Sequence, residues 1–415
     1  MRVPHRDTPL TVRAAFLFLI SSIAVVSAEA KDLSDLFAAM DSQSVVIAQA
    51  RTELADVQRQ YQASRAIPNP SLGFDHERIE VNDVTEKETV YSITQPLGFL
   101  WTYGASRAGA KHALESAAAR YEETRKDTYV QAVAAALDVK ATAKQMTYAD
   151  TVLNRTRGLV NAMQKRLEFG DVSEFELNRL QAELLLTEQE RQELLSEYQN
   201  AARLFTQVSG LPVSWCEMLS LTESLDVPFT SEDDAVSHAL NNRAILKQAL
   251  ANEASAVSYH STAKRNRLPD ISASIGRKTV APSFDGMVVG AEIEVPIFSQ
   301  RRSDVQFTRA RLYESKLQSS AAATRVEQET RQAYRIWQSS RDRRLETSSG
   351  EQSILANLDR GLSMYAQGEL SAMELVDVLR SGSDVLAARN SFDNLRLLSA
   401  LELRRITGLS LEGGQ

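Results

Sequence analysis

The chain has a single cysteine, Cys216, in 415 residues, so no internal disulfide can form. The thiol reads as buried and structural. Proline (10) and glycine (17) are few for this length, which favours long, uninterrupted elements. Neither charge dominates: 47 basic residues against 54 acidic give a net charge of −7, which argues against a nucleic-acid partner. No HExxH motif, phosphate-cradling glycine loop or GxSxG occurs. His5, His76, His112, His238 and His260 lack ligand spacing, and the methionines are scattered. His76 lies beside Asp75 and Glu77, where a solvated strand residue is favoured over a contact with a passing metal ion. The sequence therefore implies no enzyme, no catalytic residue, no metal site and no cofactor.

Long apolar runs are also missing. The longest, Ala14 to Val26, is shorter than the roughly 20 residues of a bilayer span. It follows Arg2, Arg6 and Arg13 and ends in Ser27-Ala28-Glu29-Ala30. A positive region, a short apolar region and a small-residue exit describe a secretory signal peptide over 1–30, cleaved after Ala28 or Ala30. A membrane-spanning part of the remaining chain is then expected to be a β-barrel.

What the chain does have is an internal repeat at an offset of about 200 residues. Ile67-Pro68-Asn69-Pro70-Ser71-Leu72 corresponds to Leu268-Pro269-Asp270-Ile271, and Thr94-Gln95-Pro96-Leu97 to Glu294-Val295-Pro296-Ile297. Phe169-Gly170-Asp171-Val172-Ser173 corresponds to Gln367-Gly368-Glu369-Leu370-Ser371, and Val208-Ser209-Gly210-Leu211 to Ile406-Thr407-Gly408-Leu409. The expected organisation is a first repeat over 31–211, an inter-repeat segment over 212–230 and a second repeat over 231–411. Each repeat opens with a helix without Gly or Pro (31–66 and 231–267). All prolines beyond the signal region fall at junctions: Pro68, Pro70, Pro96, Pro212, Pro228, Pro269, Pro282 and Pro296.

Two hairpins lie between these junctions, with strands expected near 71–81 and 87–96, and near 270–280 and 286–296. Polar turns are expected near Asn82-Asp83 and Pro282-Ser283. Met287, Val289, Ala291, Ile293 and Val295 alternate with Val288, Gly290, Glu292 and Glu294, as in a barrel strand with one apolar and one polar face. Ile271, Ala273 and Ile275 extend that apolar face, and Leu72, Phe74, Tyr91 and Ile93 are the counterparts in the first half. Four strands cannot close a barrel, but three chains supply twelve.

Long helices follow, from about Trp101 to Leu167 and from about Gln300 to Gln367, each spanning on the order of 100 Å. Each is followed by a returning helix of about half that length, 173–208 and 371–407. Leu137, Ala141, Tyr148, Val152, Leu159 and Met163, and likewise Leu194, Tyr198, Ala201, Phe205 and Val208, form narrow heptad-like seams. A narrow, alanine-rich stripe suits a hollow helical tube better than a solid bundle.

This order of parts resembles the TolC family of outer-membrane efflux proteins over residues 31–411. The marks are Pro68-Asn69-Pro70, Pro96, Pro296 and the turns at Gly170 and Gly368. The resemblance implies a mainly α fold with a small β part: a homotrimer whose twelve-stranded outer-membrane barrel continues into a periplasmic α-helical barrel of a Gram-negative bacterium. It implies contact with outer-membrane lipid, a periplasmic adaptor (membrane fusion) protein and an inner-membrane RND-type pump. The chain looks most like members that serve cobalt–zinc–cadmium pumps, so heavy-metal cations are the expected cargo. The alternatives are a duct for drugs or protein secretion, or a periplasmic coiled-coil adaptor or scaffold without a barrel. An adaptor would carry one hairpin between lipoyl-like halves, not this duplication.

Three groups of residues stand out. By resemblance, Glu374 and Asp377, with Glu176 in the first half, form an acidic ring at the periplasmic mouth; the plain alternative is a solvated acidic face. Arg166, Gly170, Ser173, Gly368 and Ser371 mark the helix turns assigned by resemblance to adaptor contact, although helix capping alone also accounts for the glycines and serines. Phe99, Trp101 and Tyr103 follow a strand end at alternating positions. Two readings are open for them: an aromatic girdle at the membrane surface, or burial where barrel meets helices.

Overall fold

The computed structural model describes residues 31–81, 84–220, 225, 227–281, 284–298, 300–343 and 351–411. The expected signal peptide and both hairpin turns lie outside the described residues. The chain runs α1 (Leu33–Gln43), α2 (Val45–Ala63), β1 (Ser71–Val81), β2 (Val84–Pro96), α3 (Phe99–Glu168), α4 (Glu174–Ser209) and α5 (Ser214–Met218). It continues α6 (Glu232–Asn242), α7 (Ala244–Arg265), β3 (Asp270–Ala281), β4 (Phe284–Glu294), α8 (Arg302–Arg343), α9 (Glu351–Ala366) and α10 (Ala372–Thr407). The fold is mostly helical with one small antiparallel sheet, and the order helix pair, hairpin, helix, returning helix occurs twice; of the second expected long helix, α8 and α9 are described and 344–350 lie outside the described residues.

Four strands form a single sheet in the order β1-β2-β3-β4, each pair antiparallel. β2 starts earlier than the expected 87 because the pairing reaches Val81↔Val84 beside the turn. β4 spans Phe284–Glu294 rather than 286–296: alternation continues to Val295, but Pro296 has no N–H for a ladder.

α3 is a 70-residue helix, about 105 Å long at 1.5 Å per residue. α2 packs along its sheet-proximal part and α4 along the rest. The expected single helix over 31–66 is in fact two, broken at Ser44, and the one over 231–267 is broken at Arg243. Neither break carries Gly or Pro; the cause is tertiary. The end of α4 abuts the first break, where Ser44 Oγ donates to Val208 O at 2.8 Å. There Gly210 has φ +74°, and an added Cβ would meet Gln43 O at 2.4 Å. The end of α10 abuts the second break in the same way: Gly408 has φ +83°, and a Cβ would meet Asn242 O at 2.8 Å. These glycines are needed both for the left-handed helix end and for the close approach. α4 thus stops where α2 starts, and the two continue one another along α3.

The largest core lies at this level. Leu36, Phe37, Met40 and Ile47 from the first helix pair meet Ala132, Val133 and Ala136 of α3, Phe205 of α4, and Tyr334 and Trp337 of α8. Leu401, Leu403 and Ile406 of α10 close it, and Cys216, Leu219, Leu225, Val227 and Phe229 of the inter-repeat segment fill its side. Cys216 is fully buried, and burial pushes its thiol pKa up to about 12, which makes it inert near neutrality. A second, narrower core joins Tyr148, Val152, Leu159 and Met163 of α3 to Leu177 and Leu180 of α4 and Leu375 and Leu379 of α10. Among the described residues no helix is long and apolar enough to cross a membrane.

Candidate functional site

The strand register sorts the sheet into two unlike faces. One carries the rows Leu72–Ile93–Ile275–Val289 and Phe74–Tyr91–Arg277–Met287, with Ile271–Ile293 and Ala273–Ala291 below them. These apolar side chains are open: Leu72 is 82% exposed and Val289 77%. Arg277 interrupts these rows, and its Nε donates to Asp285 Oδ1 at 2.9 Å; toward the hairpin turns the same face becomes polar, with His76, Thr89, Arg78 and Lys87. The other face holds Gly73, Ser92, Gly276, Ser274 and Gly290 between carboxylates of Asp75, Glu77, Glu88, Glu292 and Glu294, with an ion pair between Lys278 and Glu88. Such a sheet, apolar and exposed on one side and polar on the other, has no stable place in water as a monomer. Among the described residues both edges, β1 and β4, are unpaired.

At the opposite end the two helix turns are built alike. Gly170 and Gly368 have φ +78° and +77°. Asp171 N donates to Arg166 O at 3.0 Å and Glu369 N to Met364 O at 2.9 Å, which closes the preceding helix in a Schellman motif. Arg166 is exposed in the last turn of α3, where a cation complements the helix dipole. Ser173 and Ser371 cap the following helices through their side chains. Glu176 N donates to Ser173 Oγ and Glu374 N to Ser371 Oγ, both at 3.2 Å. In return, Ser173 N donates to Glu176 Oε2 at 3.0 Å and Ser371 N to Glu374 Oε2 at 2.7 Å. These hydrogen bonds, from the serine backbone first, hold both glutamates below the usual carboxylate pKa, so they stay charged.

Of the three acidic residues expected at a mouth, two thus have a local structural role. The Ser-x-x-Glu spacing of a capping box carried that information in the sequence. Asp377, exposed on α10 one turn beyond Glu374, has no such role. The tips differ in their side chains: Phe169 and Phe175 at the first are 81% and 74% exposed, and Gln367 and Met373 stand at the equivalent positions of the second. Their exposure was not legible from apolar spacing, which assigns such residues to a core. Above the tips α10 meets α4 directly, through Arg380–Glu183 at 3.5 Å and Ser383 Oγ to Glu190 Oε1 at 3.1 Å. Arg155 of α3 faces Asp359 of α9 at 3.7 Å.

The three aromatics near the sheet do not share a face. They lie in the first turns of α3, where residues two apart point in different directions and residues four apart align. Phe99 and Tyr103 contact edge to face with ring centres 6.2 Å apart, both half-buried, and Tyr103 donates its hydroxyl to Arg65 O at 3.2 Å. Trp101 is 38% exposed and donates its indole N–H to Pro269 O. The histidines sit apart, His76 against Thr89, His112 against Glu115, His238 against Thr407 O and His260 against Thr308. Among the described residues no three His, Cys, Asp or Glu side chains converge as a metal site.

The sequence matches no protein-family profile and no curated protein. The fold does match solved structures over nearly the whole chain. It is similar to the Campylobacter jejuni CmeC outer membrane channel, with a TM-score of 0.75, 13% identity, and coverage of 98% of this chain and 94% of that one. It is similar to the outer membrane protein VceC from Vibrio cholerae (TM-score 0.70, 16% identity, 92% and 97% coverage). It is also similar to the open state of the Neisseria gonorrhoeae MtrE outer membrane channel (TM-score 0.68, 14% identity, 99% and 98% coverage). At these identities the fold is what is shared.

Proposed function

We propose that three copies of this chain form an outer-membrane channel of the TolC kind, the exit duct of a tripartite efflux system. One observation carries the reading: a four-stranded sheet with open edges and an exposed apolar face stands at one end of a helix about 100 Å long. Three such sheets joined β4 to β1 make a closed twelve-stranded barrel with its apolar rows on lipid and its carboxylates and glycines on the lumen. The helices then cross the periplasm and present the Gly170 and Gly368 turns to an adaptor, which couples the duct to an inner-membrane RND-type pump. The duct is passive; the chain does no chemistry.

Asp377, together with the charged Glu374 one turn before it on α10 and Glu176 on α4, forms the acidic constriction at the periplasmic mouth. Cations are the cargo this favours, heavy-metal ions among them, because like carboxylates around one axis attract cations and repel anions. Arg166, Ser173 and Ser371 contribute to adaptor contact, and Trp101 to the girdle at the membrane surface.

The test is fractionation of cells expressing the full chain, followed by cross-linking. Recovery in the outer membrane as a trimer is expected. Recovery as a soluble periplasmic monomer would overturn the reading. Loss of the gene should then sensitise cells to divalent metals; sensitisation only to dyes and detergents would keep the duct and discard the metal cargo.

A further inference from the structure

Where the chain passes between sheet and helices, four crossings share one pattern. Moving away from the sheet, apolar residues come first and basic residues second. Ile67 stands before Arg65 at the end of α2, and Leu268 before Arg267, Arg265 and Lys264 at the end of α7. After β4, Ile297 and Phe298 precede Arg301 and Arg302; after β2, Leu100 and Trp101 precede Arg107. The side chains of the apolar tier are open, Phe298 at 99%, Ile297 at 66%, Ile67 at 59% and Leu268 at 50%.

The crossings meet in space. Arg265 donates to Trp101 O at 3.1 Å, and Trp101 to Pro269 O at 3.2 Å. Gly98, Trp101, Arg265, Leu268, Glu294 and Arg301 line one small cleft. Tyr103 joins Arg65 to the same level.

The basic tier is set apart by its clustering. Many arginines elsewhere are paired, as in Arg125–Asp41, Arg191–Asp150 and Arg331–Glu232, and ones unpaired among the described residues, such as Arg51, Arg166 and Arg396, stand apart from one another along the chain. Arg65, Lys264, Arg265, Arg267, Arg301 and Arg302 are all exposed, and none takes part in an ion pair among the described residues. The nearest carboxylates, Asp270 and Glu294, are cross-strand neighbours on the sheet face opposite the apolar rows, and Asp304 follows on α8. An apolar tier continuous with the apolar sheet face, backed by a tier of unpaired cations, fits the surface of a bilayer: acyl chains against the first tier and anionic phosphates against the second.

We infer that this collar is a binding surface for anionic phospholipid headgroups in the leaflet facing the helices. It rests on the barrel reading above but adds to it a lipid class and the residues that select it. Six cations per chain, repeated around a trimer, concentrate anionic lipid at the barrel foot; guanidinium groups of Arg267, Arg301 and Arg302 take phosphate oxygens in pairs.

Trp101 reports on this surface, because Trp215 and Trp337 pack in or against the large core at the level of the helix breaks. The full chain is reconstituted with 20 mol%, by design, of either brominated phosphatidylglycerol or brominated phosphatidylethanolamine, and tryptophan quenching is compared. Quenching about threefold stronger with the anionic lipid is expected, shrinking at high salt. In the combined variant Arg267→Gln, Arg301→Gln, Arg302→Gln the preference should fall to about one, with quenching by the neutral lipid retained. Equal quenching by both lipids in the unaltered chain would overturn the headgroup selection while leaving the barrel standing. No quenching by either would overturn the barrel reading as well.

Discussion

Ser44 separates α1 from α2 and Arg243 separates α6 from α7, and both are almost wholly buried, at 1% and 2% exposure. They stand at equivalent points of the two halves, each against the end of a returning helix. Ser44 meets that end with one neutral hydrogen bond to Val208 O. Arg243 brings a charge: its guanidinium lies 2.5 Å from Glu329 and 3.8 Å from Glu123. The Glu329 contact is close but poorly aligned, so Nε and Nη1 make no hydrogen bond. Glu123 is in turn held by Arg405 at 2.9 Å, and Arg405 by Glu402 at 2.6 Å. The first half keeps its charges nearer the surface, where Arg125 meets Asp41 at 2.6 Å with Tyr129 donating to the same carboxylate. Burial alone would raise the Asp41 pKa, but these partners outweigh it and lower it. The same backbone plan thus tolerates a neutral joint in one half and a chain of alternating charges in the other. The charged joint ties α3, α8 and α10 to the break and should be the harder one to alter.

Removing the charge breaks this comparison most severely. Arg243→Met removes the buried charge between Glu329 and Glu123, which keep only Arg325 and Arg405 as partners, and should lower unfolding stability by about 3 kcal/mol. Ser44→Ala, which loses one hydrogen bond, should lower it by about 1 kcal/mol. Chemical denaturation of the two variants side by side measures the difference, and equal losses would mean that the joints are energetically alike.

Glycine substitutions come next. Gly210→Ala forces a Cβ to within 2.4 Å of Gln43 O at a positive φ, whereas Gly170→Ala has the same φ problem but open space around it. The expected losses are about 3 and about 1 kcal/mol in the same assay. A tip variant as damaging as the joint variant would show that an unseen contact fills the tip.

The capping serines should behave alike despite the different side chains around them. Ser173→Ala and Ser371→Ala are each expected to cost about 1 kcal/mol, read as faster amide exchange in the first turns of α4 and α10. Loss at only one tip would contradict the matched geometry.

The smallest effect is on pH dependence. Glu176 and Glu374 have lowered pKa values in the folded chain, so their support is complete above the unfolded value near 4.5 and disappears as pH falls through the folded value. Glu176→Gln and Glu374→Gln should flatten the loss of tip protection on acidification, and unchanged acid sensitivity would count against the hydrogen bonds described.

Much of this arrangement could be read from residues alone, and the exceptions have physical causes. β1 is where Pro70 and the alternation after Ser71 place it, since strand period and proline exclusion are local signals. The long helix and both glycine turns were legible for the same reason. The breaks at Ser44 and Arg243 were not, because they are imposed by helix ends that arrive from residues 209 and 407. That Phe99 and Tyr103 pair while Trp101 points elsewhere was not legible either, because these residues lie in the first turns of α3, where the strand period no longer applies. At the tips, resemblance suggested a ring for the glutamates, while the serines three positions earlier, Ser173 and Ser371, account for their local geometry as capping boxes.

The central claim is that three of these sheets close into one conducting barrel. Purified full-length protein added to a planar lipid bilayer should give discrete conductance steps that pass cations in preference to anions, with the preference reduced in Asp377→Asn. Absence of any conductance from protein that is folded and trimeric would contradict the account.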